Sequence, residues 1–404
     1  MTPVSRGSPS DEVTIGIDIG TTAVKAVAAD EHGRVVARAR IPHQVRVPEP
    51  DRLEHDADEA WRLGPSSAMR QLARPDALAV AVSAMAPSLT AVDDGGRPVS
   101  PGLLYGDARG RGDVTPGSFL TGEMGEFLRW TALRAPDAAG YWPAPAVANY
   151  ALAGEAVIDV ATAGTAYPVF DGTGWSEREC AQLSVSVDRM PRAELMGAAV
   201  GRVHGTDTVL AAGAIDALCE QLVAGADNDG DVLVVCGTTL IVWVTTSAAN
   251  QVPGLWTIPH LSGKSRIGGA SNAGGLFLNW ADQLVSPGNT ALTDPRRVPV
   301  WLPYVRGERT PLHNPGRRAV LDGLDLTHDG ASLRRAAFEA SGFVVRQLID
   351  MSGVRVGRIV AAGGGTRLEP WMQAIADATG LPVEVSGASE GAALGAAFLA
   401  RMAV

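Results

Sequence analysis

A chain of 404 residues is long enough for two domains, each with its own core. Hydrophobic residues make up 46% and charged residues 19%, which excludes a disordered chain, and a formal net charge of −10 argues against nucleic acid or an anionic membrane as main partner. The cysteines Cys180, Cys219 and Cys236 lie far apart and read as reduced thiols of a cytoplasmic protein, neither a disulfide frame nor a zinc site.

Residues 1–12 (MTPVSRGSPSDE) are polar and broken by proline and read as a flexible tail, and no apolar run is long enough to span a bilayer. Val13, Ile15 and Ile17 then alternate with smaller or polar neighbours at the period of a half-buried strand. Gly20-Thr21-Thr22 predicts a tight turn, Val24 to Val27 a returning strand, Asp30 to Gly33 (DEHG) a second turn, and the stretch to Ile41 a third strand. A Walker-type phosphate loop needs a longer glycine loop, a Lys-Ser/Thr pair and a following helix, and this stretch has none of them. It offers instead a glycine turn with exposed backbone N–H groups and a carboxylate, Asp18, just before it. An aspartate among Ile15, Ile17 and Ile19 is costly to bury without a cation or donors beside it. Ala57 to Leu72 reads as helix and Ala77 to Met85 as a buried strand, so the first half predicts a mixed sheet covered by helices.

The polar stretch Gly225 to Asp231 (GADNDGD) reads as a linker and hinge, dividing the chain into 13–226 and 227–404. Behind it, Val232 to Val244 (VLVVCGTTLIVWV) repeats the opening pattern of strand, Gly237-Thr238-Thr239, strand. One such turn is ordinary; the same tripeptide in the same setting once per half points to internal duplication. If the halves face one another across a cleft, both turns present N–H groups to one polyphosphate, because concave turns bind anions through backbone donors alone. A third glycine element, Gly363 to Gly365, joins a strand at Arg358 to Ala362 to a helix from about Glu369. Close backbone approach and a helix N-terminus favour an anion there too, although a strand-to-helix connection calls for flexible residues in any case. The seven histidines show no metal-ligand spacing.

In this order, several stretches resemble the FGGY carbohydrate kinases, most of all their xylulokinase-like branch, over nearly the whole chain. They are IGIDIGTTAVKAV, LLYGDARG (Leu103 to Gly110), GTAYPVFDGTGWS (Gly164 to Ser176), VLAAGAIDALCEQLVAGA (Val209 to Ala226), GDVLVVCGTT, PYVRGERTPLHNPGRRAVLDGLDL (Pro303 to Leu326), AAGGGTRLEPWMQAIADATGLPVEV and EGAALGAAFLA. The resemblance implies an α/β fold of two domains, actin-like and ribonuclease-H-like, with a duplicated mixed sheet flanked by helices and an interdomain cleft for ATP. It implies a sugar-binding first domain at 13–226 and a nucleotide-binding second domain at 227–404. By the same resemblance Asp18 organises Mg²⁺ near the transferred phosphate. Gly20, Thr21 and Thr22 form the first phosphate turn, Lys25 lies close to the nucleotide phosphates, and Gly237, Thr238 and Thr239 form the second turn. Gly275 and Asn279 in SNAGGLFLNW, with Gly364 and Leu368 in the third glycine element, fall where the family contacts nucleotide. Asp216, in GAIDALCE, matches the catalytic base; taken alone, an aspartate that ends an apolar run and starts a helix reads as an N-cap. Asp107 and Arg109 match a region near the family's sugar site, and taken alone read as a surface pair.

The departures fall on the acceptor side. The family's Gly-Gln-Met-His-Gly stretch is here SAMAPS (Ser83 to Ser88), with Met85 kept, Ala86 at the histidine position and Pro87 after it, which removes a hydrogen-bonding side chain and signals a changed substrate preference. The region from Gly110 to Gly154 is short for the family. The resulting expectation is a cytoplasmic kinase that transfers the γ-phosphate of ATP to a hydroxyl of a ketose or polyol, a D-xylulose-like pentulose by default. The alternatives are a kinase of a specialised-metabolite sugar or polyol and a catalytically silent nucleotide-binding regulator. ATP and Mg²⁺ are the implied cofactors and a small sugar or polyol the partner, with no nucleic acid and no membrane; a homodimer stays open.

Overall fold

The stretch Thr14–Ile19, whose alternation predicts a half-buried strand, is instead buried at every residue and lies in the middle of its sheet. The structure is a computed structural model that describes residues 12–110, 123–248, 251–259, 263–285, 294–388 and 390–404. Residues 1–11 of the expected tail and residues 111–122 of the shortened segment lie outside the described residues. The chain forms two compact units, the first holding the described residues up to 223 together with 390–404, the second the described residues from 224 to 388.

In the first unit β1 (Thr14–Ile19), β2 (Ala23–Ala29), β3 (Val35–Pro42), β4 (Ala79–Ala84), β5 (Ala199–Arg202) and β6 (Val209–Ala211) form one sheet in the order β5-β6-β4-β1-β2-β3. Strands β1, β4 and β6 run parallel, whereas β1, β2 and β3 form an antiparallel meander. Every residue of β1 and β4 is buried, while along β3 exposed positions alternate with partly exposed ones and with the buried Ala39, as in an edge strand. The β2–β3 turn has a side-chain cause: Asp30 Oδ1 accepts from the backbone N–H of His32 and Arg34, both at 2.9 Å, and Gly33 takes the left-handed φ of +73° that the turn requires.

The last helix, α5 in a series that also holds α1 (Asp216–Ala224), α2 (Gly275–Leu284), α3 (Gly330–Ser352) and α4 (Glu369–Thr379), spans Gly391–Arg401. It packs on β1 of the first unit although its sequence follows the second. A Cβ on Gly16 would stand 1.8 Å from the Ala393 carbonyl oxygen, and one on Gly395 would stand 2.0 Å from that of Cys219. Backbone-to-backbone approach of this kind needs the small residues of GAALGAA. The Thr14 hydroxyl adds a buried hydrogen bond of 3.0 Å to the Ala397 carbonyl. The block 227–404 read from the sequence is therefore split in space, with its final helix belonging to the first unit.

In the second unit β7 (Asp231–Cys236), β8 (Leu240–Thr246), β9 (Trp256–Pro259), β10 (Ser265–Ser271), β11 (Arg358–Ala362) and β12 (Val383–Val385) form a sheet in the order β9-β10-β8-β7-β11-β12. Its centre repeats the first sheet: β7 pairs antiparallel with β8 and parallel with β11. Helices α3 and α4 cover it, tied by the Trp371 indole N–H donating to the buried Ser341 hydroxyl at 2.8 Å. Asp329 caps α3 by accepting from Ser332 N at 2.8 Å, and Gly353 ends it at φ +66°. The three cysteines are buried, and no described helix is long and apolar enough to cross a membrane.

Candidate functional site

The parallel strands of the first unit gather three polar side chains at their carboxyl ends, where open α/β sheets place ligands. Register sets the group. Asp18 on β1 lies opposite Lys25 on β2 and beside Ser83 on β4, whose hydroxyl donates to Asp18 Oδ1 at 3.2 Å. Ile215 bridges to Ala84 at the end of β4, so Asp216, the next residue and the first of α1, emerges at the same edge. Its Oδ1 accepts from the Ala217 N–H at 2.7 Å.

Burial dominates the electrostatics. It pushes the Asp18 carboxyl up to about 7, Lys25 and the Ser83 bond drawing it down and the neighbouring Asp216 charge pushing it up. Asp216 is also raised by burial, opposed by the Ala217 N–H and by Lys25. Glu220, one helical turn beyond Asp216, rises to about 8 through burial and the Asp216 and Asp18 charges, with Lys25 again opposing. Asp18, Lys25 and Asp216, singled out in the sequence, thus form one electrostatic cluster. Ser83 and Glu220 were not singled out: strand register reveals the first, and only the i, i+4 spacing from Asp216 hints at the second.

The turn between β1 and β2 closes through the Gly20 N–H donating to the Ala23 carbonyl at 3.1 Å. Among the described residues the N–H groups of Thr21 and Thr22 donate no hydrogen bond. Both carbonyls are held: that of Thr21 lies 2.9 Å from His55 Nε2, and that of Thr22 accepts from His43 N at 3.1 Å. The Thr21 hydroxyl is 3.4 Å from that of Tyr105.

The second unit brings its own three glycine elements together. Gly275 N and Leu276 N, opening α2, donate to the carbonyls of Gly237 and Thr238 at 2.8 and 3.1 Å. A Cβ on Gly274 would meet Leu240 N at 2.5 Å, and Cβ atoms on Gly363 and Gly365 would meet the Cys236 carbonyl oxygen at 2.9 and 2.7 Å. Gly364 faces open space, Asn279 is exposed, and Leu368 is exposed beside the same element. As in the first turn, the Thr238 and Thr239 N–H groups donate nothing among the described residues.

The residues expected at the acceptor stand differently. Met85 is buried in the first unit's core, and of this pair only Ala86 is partly exposed. Asp107 and Arg109 face each other: both carboxylate oxygens of the fully buried Asp107 accept from the Arg109 guanidinium, at 2.8 and 2.7 Å, and Asp107 Oδ2 also accepts from Leu53 N. Arg109 Nη1 reaches Glu54 at 2.8 Å, and its guanidinium carbon lies 4.9 Å from the Trp130 ring centroid. This is a buried clamp joining the 53–54 segment to the 107–109 loop.

Two sheets of like topology, each opening on a glycine hairpin, define the actin-like ATPase fold. Models of the N-terminal and C-terminal domains of the FGGY family of carbohydrate kinases match residues 13–115 and 232–404, and the chain belongs to that family. The xylulose kinase of Escherichia coli (strain K12) is 26% identical over 434 residues, covering 96% of this chain and 90% of that protein. The gluconokinase of Bacillus subtilis (strain 168) is 25% identical over 449 residues, covering 95% and 86%. Among solved structures, the xylulose kinase from Rhodospirillum rubrum superposes with a TM-score of 0.77 at 25% identity, covering 96% of this chain and 90% of that one. The protein is a carbohydrate kinase.

Proposed function

We propose that the protein transfers the γ-phosphate of ATP to a hydroxyl of a ketose or polyol, a D-xylulose-like pentulose by default, with Asp216 as the base. The observation that carries this is the convergence of Asp18, Ser83 and Asp216 at the carboxyl ends of parallel strands, beside a glycine turn with unused N–H groups. Phosphoryl transfer asks a protein chiefly for positioning, charge neutralisation and a carboxylate to receive the hydroxyl proton. Asp216 takes that proton; the Ala217 N–H and Lys25 favour its ionised form while burial lifts its basicity above that of a free carboxylate. The Thr21, Thr22, Thr238 and Thr239 amides serve as phosphate donors, and Lys25 adds the one side-chain cation of the Asp18–Asp216 cluster.

The donor set suits Mg²⁺. Among the described residues no three acidic, histidine or cysteine side chains could hold a metal together, and Mg²⁺ is usually bound by one or two carboxylates with water and substrate phosphates. Asp18 would hold it, and the ion would supply charge neutralisation to the phosphates. Burial raises the Asp18, Asp216 and Glu220 carboxyls while Lys25 opposes the rise, and a cation bound beside Asp18 would favour its ionised form in the same way.

The acceptor is where a second reading has support. Ala84, Met85, Ala86 and Pro87 offer no hydrogen-bonding side chain, and the two curated relatives named above act on different acids and sugars by name, which favours a kinase of an altered sugar or polyol. Coupled ADP release across ketoses, polyols, sugar acids and aminosugars tests both readings. ATP consumption should rise with one acceptor class and vanish in Asp216→Ala; consumption indifferent to every acceptor would favour a silent nucleotide-binding protein.

A further inference from the structure

Behind the Gly20–Thr22 turn lies a buried group that the chemistry above does not use. His55, on the two-residue strand Glu54–His55, is 1% exposed, and Trp61, in the helical segment Asp58–Leu63, is wholly buried. The Trp61 indole nitrogen donates to His55 Nδ1 at 2.9 Å, and His55 Nε2 lies 2.9 Å from the Thr21 carbonyl oxygen. The His43 ring stands edge-on to His55, centroids 4.5 Å apart, while His43 N holds the Thr22 carbonyl.

The proton inventory assigns the tautomer. An indole N–H can only donate, so His55 Nδ1 must carry its lone pair; a carbonyl can only accept, so Nε2 must carry the hydrogen. An imidazolium would turn a second N–H against Trp61 and lose that bond, and burial with His43 nearby keeps His55 down at about 4. We infer that His55 is a positioning residue for the Gly20–Thr22 turn, locked by Trp61 into the tautomer that donates to the Thr21 carbonyl and so orients the Thr22 N–H of the same planar peptide unit; this rests on the reading of that turn as a phosphate site. Fixing the Thr21 carbonyl from behind pre-organises the Thr22 N–H in front, which lowers the ordering cost when an anion binds.

Histidine ¹⁵N shifts at pH 7 read the tautomer directly. A protonated Nε2 and a bare Nδ1 on His55 are expected; the reverse assignment, or an imidazolium, overturns the inference. Kinetics then test its consequence. His55→Gln supplies an acceptor for Trp61 and a donor for Thr21, whereas His55→Leu keeps bulk and supplies neither. His55→Leu should raise the KM for ATP about tenfold, the equivalent of one lost buried hydrogen bond, and leave the acceptor KM alone. His55→Gln should recover most of that loss. A His55→Leu KM for ATP equal to the parent's, or no recovery with Gln, overturns it. Gly20→Val is the control, since its Cβ would stand 3.3 Å from the Ala23 carbonyl oxygen and crowd the turn. If Gly20→Val leaves the KM for ATP unchanged, the phosphate-turn reading falls and this inference with it; if it raises the KM and His55→Leu does not, only the role of His55 falls. Should His55→Leu not fold, Trp61→Phe keeps a ring and deletes the donor: a mixture of His55 tautomers is then expected, and a pure Nε2–H form overturns the lock.

Discussion

The β1–β2 and β7–β8 hairpins carry the same Gly-Thr-Thr tripeptide at the same place in two sheets of like order, yet their length and surroundings differ. In the first, the last strand pair is Ile19 with Val24, with four residues between them; in the second it is Cys236 with Leu240, with only Gly237 to Thr239 between them. The flanks diverge more. Two residues before the glycine stands Asp18 in one hairpin and Val235 in the other; five residues after it stands Lys25 in one and Val242 in the other. The first turn is backed by histidines and bordered by carboxylates, whereas the second accepts from the N–H groups that open α2 and is walled by Gly363 and Gly365. The tripeptide and its unused amides are common to both hairpins, whereas Asp18 and Lys25 of the first have Val235 and Val242 as counterparts in the second. Under the proposed function, reactive chemistry falls to the first hairpin and backbone recognition to the second.

That contrast can be broken or sharpened by substitution. Within that contrast the largest expected effect is on Asp18: Asp18→Asn should lower kcat by roughly 10²–10³-fold, as loss of a charge-organising carboxylate does, measured by acceptor-dependent ADP release. A loss below tenfold would put the chemistry elsewhere. The mirror change comes next. Val235 is 5% exposed, so Val235→Asp buries a carboxylate opposite Ile241 with no lysine across the pair, and should cost roughly 3 kcal/mol in urea unfolding. A cost under about 1 kcal/mol would mean that the second hairpin tolerates charge as well as the first does.

Asp18→Asn also carries a stability signature of opposite sign. The folded-state pKa is raised, from 3.8 to about 7, so the folded protein holds its proton more tightly than the unfolded chain. Wild-type stability from this group is therefore complete below pH 3.8 and lost as pH rises to about 7. In ligand-free, metal-free protein Asp18→Asn should gain about 2–4 kcal/mol over wild type at pH 8 and almost nothing near pH 4. A gain independent of pH would remove burial of charge as its cause. The smallest effect is at the second hairpin's wall: a Cβ on Gly275 would lie 2.9 Å from the Gly237 carbonyl oxygen, so Gly275→Ala should raise the KM for ATP by about threefold to tenfold while kcat holds. An unchanged KM would detach α2 from nucleotide recognition.

How much of this could be read from residues alone follows from what is local. The three-strand meander follows from alternation and from the Asp30–Gly33 turn, the helix start at Asp216 from an apolar run that ends at an acidic residue, and that at Glu369 from the glycine element between strand and helix. The pairing of α5 with β1 is not local: GAALGAA announces close approach but not to Gly16, 375 or more residues away. Ser83 joins Asp18 only through parallel register, and the shorter second turn is invisible in a tripeptide repeated letter for letter. Asp107 and Arg109 look like a pair offered outward, until Leu53 and Glu54, half a hundred residues earlier, close on them. His55 and Trp61 have no spacing that marks them, since their partner is a carbonyl, which every residue has.

The central claim is that Asp216 receives the hydroxyl proton beside the first hairpin and takes no part in holding nucleotide. Its most direct test is Asp216→Asn, with kcat measured at saturating ATP and acceptor and ATP affinity measured by calorimetry. The account predicts a kcat lower by about 10³-fold, roughly 4 kcal/mol of barrier, with ATP affinity unchanged. A kcat within tenfold of wild type, or an ATP affinity that falls as far as kcat does, would contradict it.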